Sequence, residues 1–126
     1  MTPDQAPQKV LVVEDDPTLR RLIELCLKQP NREIDLRSNG SDGLEAYRDS
    51  APDVVVLDLV LPGIDGWDVL RELRAESDES VAVVIVTADA TAETRDRAVL
   101  SGADALITKP FRPDELRNTV DLIAPR

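Results

Sequence analysis

Val54-Val55-Val56-Leu57-Asp58 decides how this chain folds. A run of apolar, mostly β-branched residues suits a short strand buried on both faces, which reads as continuous rather than alternating hydrophobicity. A carboxylate closing such a run is poorly placed for packing. It is well placed for chemistry, because ligands in open α/β sheets sit beyond the carboxyl ends of the strands. Working outward, Val10-Leu11-Val12-Val13 leads into Glu14-Asp15-Asp16, and Val81-Ala82-Val83-Val84-Ile85-Val86 leads into Thr87. Ala105-Leu106-Ile107 leads into Thr108-Lys109-Pro110. Acids, a hydroxyl and an amine are thus expected along one edge of one sheet, with Asp58 at its centre.

Helical periods separate these runs. From Asp16 to Lys28, apolar residues at Leu19, Leu22, Ile23 and Cys26 predict an amphipathic helix, with Asp16 as its cap and Pro17 in its first turn. Arg32 to Arg37 alternates through Ile34 and Leu36, as an edge strand does. Helices are predicted over Ser41 to Asp49 through Leu44 and Tyr47, and after Asp65-Gly66 through Trp67, Leu70 and Leu73. Thr91 to Leu100 is the weakest pattern, with Ala92, Ala98 and Val99 as its apolar stripe, and Pro113 to Ile123 closes through Leu116, Val120 and Ile123. Five βα units with short connections predict a doubly wound parallel sheet between helices. Strand order 2-1-3-4-5 puts the apolar strands inside and the alternating strand at an edge. Met1 to Gln8 is expected to be a flexible arm, with one domain over 9–126.

The 126 residues suit a single core. A formal net charge of -10 argues against direct contact with nucleic acid, which calls for a basic surface, and is uninviting to an anionic membrane. One cysteine, Cys26, cannot form an internal disulfide, and no apolar stretch is long enough to span a bilayer. With no secretion signal at the N-terminus, a cytoplasmic protein is expected.

Neighbouring strands lie about 4.8 Å apart, so Asp15 and Asp58 are expected nearly to touch, with Glu14 beside them. Two carboxylates at ~5 Å repel by roughly 3 kcal/mol at an effective dielectric of about 20. A divalent cation relieves that repulsion, and Mg²⁺ accepts one or two carboxylates together with phosphate oxygens and water. With charge neutralised in this way, Asp58 can attack phosphorus and form an aspartyl phosphate. Lys109 and Thr87 can each hold a phosphoryl oxygen. Asp16 and Asp65 read as helix caps, while Cys26, Trp67 and Phe111 read as packing residues.

Val12-Val13-Glu14-Asp15-Asp16, Leu57 through Gly66, Val86-Thr87-Ala88 and Lys109-Pro110-Phe111 together resemble the receiver domain of two-component response regulators. The resemblance runs from Lys9 to about Ile123 and implies the flavodoxin-like receiver fold. It implies a signalling phosphoacceptor rather than an enzyme acting on other substrates, one that catalyses only its own phosphorylation and dephosphorylation. Asp58, Thr87 and Lys109 match the phosphoacceptor, the switch hydroxyl and the phosphate-contacting lysine. Glu14, Asp15, Asp58 and the backbone carbonyl of Val60 match the Mg²⁺ ligands, and Lys109-Pro110 matches a cis peptide. The implied partners are a sensor histidine kinase or phosphotransfer protein, docked around Arg20, Arg21 and Glu24, and a downstream protein or fused output domain. A phosphorylation-dependent dimer would use the fourth helix, fifth strand and fifth helix.

The chain departs from the family's pattern at three places. Val60, the second residue after Asp58, cannot orient an attacking water, so slow dephosphorylation is expected, with Asp89 as a partial substitute. Leu106 stands where many receivers carry an aromatic residue. Ala105 and Thr119 stand where receivers of winged-helix transcription factors carry a charge pair. The alternatives are a receiver cut from a larger regulator or hybrid kinase and, further off, two unrelated classes. A haloacid-dehalogenase-like phosphatase needs a second acid where Val60 stands. A flavodoxin-like carrier needs a hydroxyl- or glycine-rich phosphate loop where Glu14-Asp15-Asp16 stands.

Overall fold

A computed structural model describes residues 6–76 and 80–125. In chain order, β1 (Gln8–Val13), α1 (Pro17–Leu27), β2 (Arg32–Arg37), α2 (Gly40–Ser50) and β3 (Val54–Asp58) come first. Then follow α3 (Gly66–Glu76), β4 (Ala82–Thr87), α4 (Ala92–Leu100), β5 (Ala105–Thr108) and α5 (Pro113–Ile123). The strands form one parallel sheet in the order β2-β1-β3-β4-β5, the order expected from the sequence. Of the expected arm, Met1 to Gln5 lie outside the described residues, while Gln8 already pairs with Arg32 in the sheet.

The continuous apolar strands serve two cores at once. Leu11, Val13, Val55, Leu57, Val83 and Ile85 face one way, against α2, α3 and Ala98 of α4. Val10, Val12, Val54, Val56, Val84 and Val86 face the other, against α1 and α5. Successive side chains of a strand point to opposite faces, so a strand covered on both sides needs apolar residues throughout.

Two helix readings need correction. On α1 the buried stripe is Ile23, Cys26 and Leu27, with Leu19 partly covered, and Leu22 is exposed. Leu19, Ile23, Cys26 and Leu27 follow i, i+4, i+7, i+8, and Leu22, at i+3, falls at the edge of that stripe, where it is 41% exposed. On α4, Ala98 is buried whereas Ala92 and Val99 face solvent.

Polar side chains tie the layers together at points no hydrophobic pattern reveals. Arg32 donates to Gln8 Oε1, Leu27 O and Asp121 Oδ1, linking α1, β1, β2 and α5. Arg74 of α3 donates to Val81 O and Gly102 O and pairs with Asp104, whose carboxylate also accepts from Val83 N.

Candidate functional site: an acidic pocket at the strand ends

The register fixes the site. Val13 is aligned with Leu57 and Asp58 with Val86, so Glu14, next along from Val13, arrives beside Asp58. Both are buried, at 1% and 5% exposure, whereas Asp15 is exposed. The acid set deep against Asp58 is therefore Glu14, and Asp15 lies at the rim. Ligand oxygens of Glu14, Asp15 and Asp58 all lie within 4.8 Å of one another, so the expected juxtaposition is present.

Local structure holds these groups in place. Asp16 caps α1 through Thr18 N and Leu19 N, and its own N–H donates to Glu14 Oε2. Arg20 binds the carbonyls of Glu14 and Asp15, which gives it a structural task on the α1 face. Arg21 pairs with Glu24 beside it. Asp58 Oδ1 accepts Val60 N at 3.1 Å, and Asp65 caps α3 through Asp68 N. Gly66 lets the loop return beneath β3, since a Cβ there would sit 2.3 Å from Asp58 O and 2.5 Å from the Leu59 Cα.

Lys109 reaches the acids from the far side. Its Nζ lies 2.9 Å from Asp58 Oδ2 and 3.2 Å from Glu14 Oε1. Burial alone would lower its pKa, but the hydrogen bond and charge of Asp58, with Glu14 behind it, hold the ammonium above its ordinary value. Burial raises Glu14 from 4.5 to about 7, the amide of Asp16 opposing, Asp58 adding to the rise and Lys109 opposing it. The Lys109-Pro110 peptide is cis, as expected. Thr87 is 3% exposed at the end of β4, and its Oγ1 accepts Asp89 N at 3.1 Å.

A cleft of about 290 Å³ lined by Val60, Leu61, Trp67, Thr87 and Asp89 opens alongside. Val60 stands 76% exposed at its rim. Larger clefts, about 410 and 510 Å³, lie along β2 and at the opposite ends of the strands, away from the converging acids. Side-chain chemistry, rather than volume, locates the site. Asp89 lines the cleft with Val60, and its carboxylate is engaged by Thr91 N and Thr94 Oγ1. The spacing Thr87-Ala88-Asp89-Ala90-Thr91 carries that signal, because short hydroxyl and carboxylate side chains bind backbone two residues on.

The strand order, the buried Asp58 and the Lys109 contact are those of a known class, and residues 10–121 match the response regulator receiver domain family. The chain belongs to that family. Among curated relatives, the DNA-binding response regulator MtrA of Mycolicibacterium smegmatis is 41% identical over 113 residues, covering 90% of this receiver and 49% of that protein. The receiver spans about half the length of the curated relatives it matches. Response regulator DrrB of Thermotoga maritima superposes with a TM-score of 0.83 at 30% identity, over 91% of this chain and 51% of that one. The Vibrio cholerae chemotaxis protein CheY4 shares the fold with a TM-score of 0.87 at 24% identity, over 94% and 99% of the two chains. Receiver domains are signalling modules, and no described helix here is long and apolar enough to cross a membrane.

Proposed function

We propose that Asp58 is the phosphoacceptor of this receiver, taking a phosphoryl group from the phosphohistidine of a sensor kinase or phosphotransfer protein, or from a small-molecule donor. The observation that carries this is a buried strand-end carboxylate with Lys109 Nζ at 2.9 Å and further carboxylates within 4.8 Å. A carboxylate oxygen of Asp58 bonds to phosphorus as the bond from phosphorus to the donor's imidazole nitrogen breaks, its electron pair leaving with the imidazole. The donor set is all hard oxygen, which suits Mg²⁺. Glu14, Asp15, Asp58 and the Val60 carbonyl would hold that ion, whose contribution is to neutralise charge on the transferring group.

Lys109, already on Asp58 Oδ2, can follow one phosphoryl oxygen, and the Thr87 hydroxyl can donate to another. Hydrolysis then returns the carboxylate, slowly, because the Val60 side chain offers a passing water no hydrogen bond. The phosphoacceptor unit begins with Gln8 in β1 and works in the cytoplasm. The α1 surface docks the kinase, and α4, β5 and α5 meet the output partner or a second copy. DNA binding, named for the relatives, would belong to another part of a longer protein, since this unit carries a formal charge of -10.

The test is uptake of one phosphoryl group from acetyl phosphate or a phosphorylated kinase in the presence of Mg²⁺. Asp58→Ala should take none. Equal uptake by that variant overturns the assignment.

A further inference from the structure

Helix α4 is held by polar contacts more than by apolar burial. Ala98 is its buried residue, while Val99 and Leu100 are 72% and 87% exposed. Arg97 lies over the Trp67 ring of α3, 4.1 Å from its centroid, and Arg95 Nη2 donates to Thr108 Oγ1 of β5 at 3.1 Å. At the other end, Asp89 Oδ1 accepts Thr91 N at 3.0 Å and Oδ2 accepts the Thr94 hydroxyl at 2.6 Å. The hydrogen bond from Thr94, with Thr91 adding to it, holds the Asp89 carboxyl below its ordinary pKa. An O–H donor on a carboxylate at that distance is a strong, charge-assisted contact. The Asp89 N–H in turn donates to Thr87 Oγ1.

A continuous line of hydrogen bonds therefore leads from the Thr87 hydroxyl, through both the amide and the carboxylate of Asp89, into the first turn of α4. An aspartate has two side-chain torsions, and bonds at both ends leave it little freedom to absorb a displacement. We propose that Asp89 is a positioning residue that couples Thr87 to α4, so that movement of the Thr87 hydroxyl towards a phosphorylated Asp58 carries the first turn of the helix with it. This rests on the roles assigned above to Asp58 and Thr87, and it gives Asp89 a part in output rather than in orienting water. The coupling suits a helix with few apolar contacts, because such an element shifts at low cost. Trp67 is the single tryptophan of the chain, and its stacking on Arg97 makes its emission a built-in report of where α4 sits.

Beryllofluoride with Mg²⁺, a mimic of the phosphoryl group, supplies the test. In the wild type, amide exchange should slow around Asp58, and both Trp67 emission and exchange over residues 92–100 should change. Thr94→Val keeps the side-chain shape and removes the hydroxyl. It should bind the mimic and protect the Asp58 pocket as the wild type does, yet lose the Trp67 and α4 responses. Thr94→Ser should restore them. Asp89→Ala should lose the α4 response, and Asp89→Asn, able to accept from Thr91 and donate to Thr94, should keep it. Full α4 and Trp67 responses in Thr94→Val and Asp89→Ala overturn the coupling while leaving Asp58 as the acceptor. No uptake of the mimic by the wild type overturns the acceptor assignment and the coupling with it.

Discussion

Replacing Glu14 with glutamine should make the protein more stable at neutral pH when divalent cations are withheld. Glu14 is 1% exposed and holds its proton up to about pH 7, whereas the unfolded chain releases it near 4.5. Between those values the native state binds more protons than the unfolded state, so wild-type stability falls as pH rises. A rise from 4.5 to about 7, at about 1.4 kcal/mol per pH unit, corresponds to about 3 kcal/mol lost across the window. Glutamine keeps the shape of the protonated acid and cannot ionise. The two proteins should therefore match near pH 4, with the variant ahead by up to about 3 kcal/mol at pH 7 and above. Urea unfolding of both proteins in chelator at stepped pH measures the gap, and carboxylates that do not touch Glu14 cancel in the difference. A gap that stays constant with pH, or that favours the wild type as pH rises, refutes the linkage.

Other substitutions probe single contacts. Val60→Asn should speed decay of the phosphorylated form about fivefold, the equivalent of one hydrogen bond of about 1 kcal/mol to the attacking water; unchanged or slower decay acquits Val60. Gly66→Ala should destabilise by about 3 kcal/mol, because the added Cβ meets the backbone of Asp58 and Leu59 at 2.3 and 2.5 Å; denaturant unfolding reads the loss. Arg32→Ala should also lose about 3 kcal/mol, since a side chain 1% exposed leaves the Leu27 carbonyl and Gln8 without their donor. A change below about 1 kcal/mol would mean that water replaces the guanidinium.

Which strands are central, and the site's location at their ends, are legible in the sequence because burial on both faces demands uninterrupted apolar runs, and β1, β3 and β4 supply them; the order among those strands is what the receiver resemblance implies. The polar residues ending those runs then have one place to meet. Which face of α1 is buried is less legible, because Leu22, Leu25 and Leu27 are equally apolar and Leu27 alone of the three is buried against the sheet. The depth of Glu14 relative to Asp15 follows from the register of β1 against β3, and composition does not specify register. Arg32 and Arg74 escape any periodicity reading, since their value lies in the backbone carbonyls they reach. The spacing of Asp89 from Thr87 and Thr91 is a turn signal, and only the fold shows that Thr94 completes it.

Reduction with borohydride tests the central claim most directly, because it converts an aspartyl phosphate to homoserine and so marks the residue that carried the phosphoryl group. After incubation with acetyl phosphate and Mg²⁺, peptide mapping should find homoserine at position 58 and aspartate unchanged at positions 15 and 16. Homoserine elsewhere, or an Asp58 peptide unaltered in a protein that has taken up phosphate, would contradict Asp58 as the acceptor.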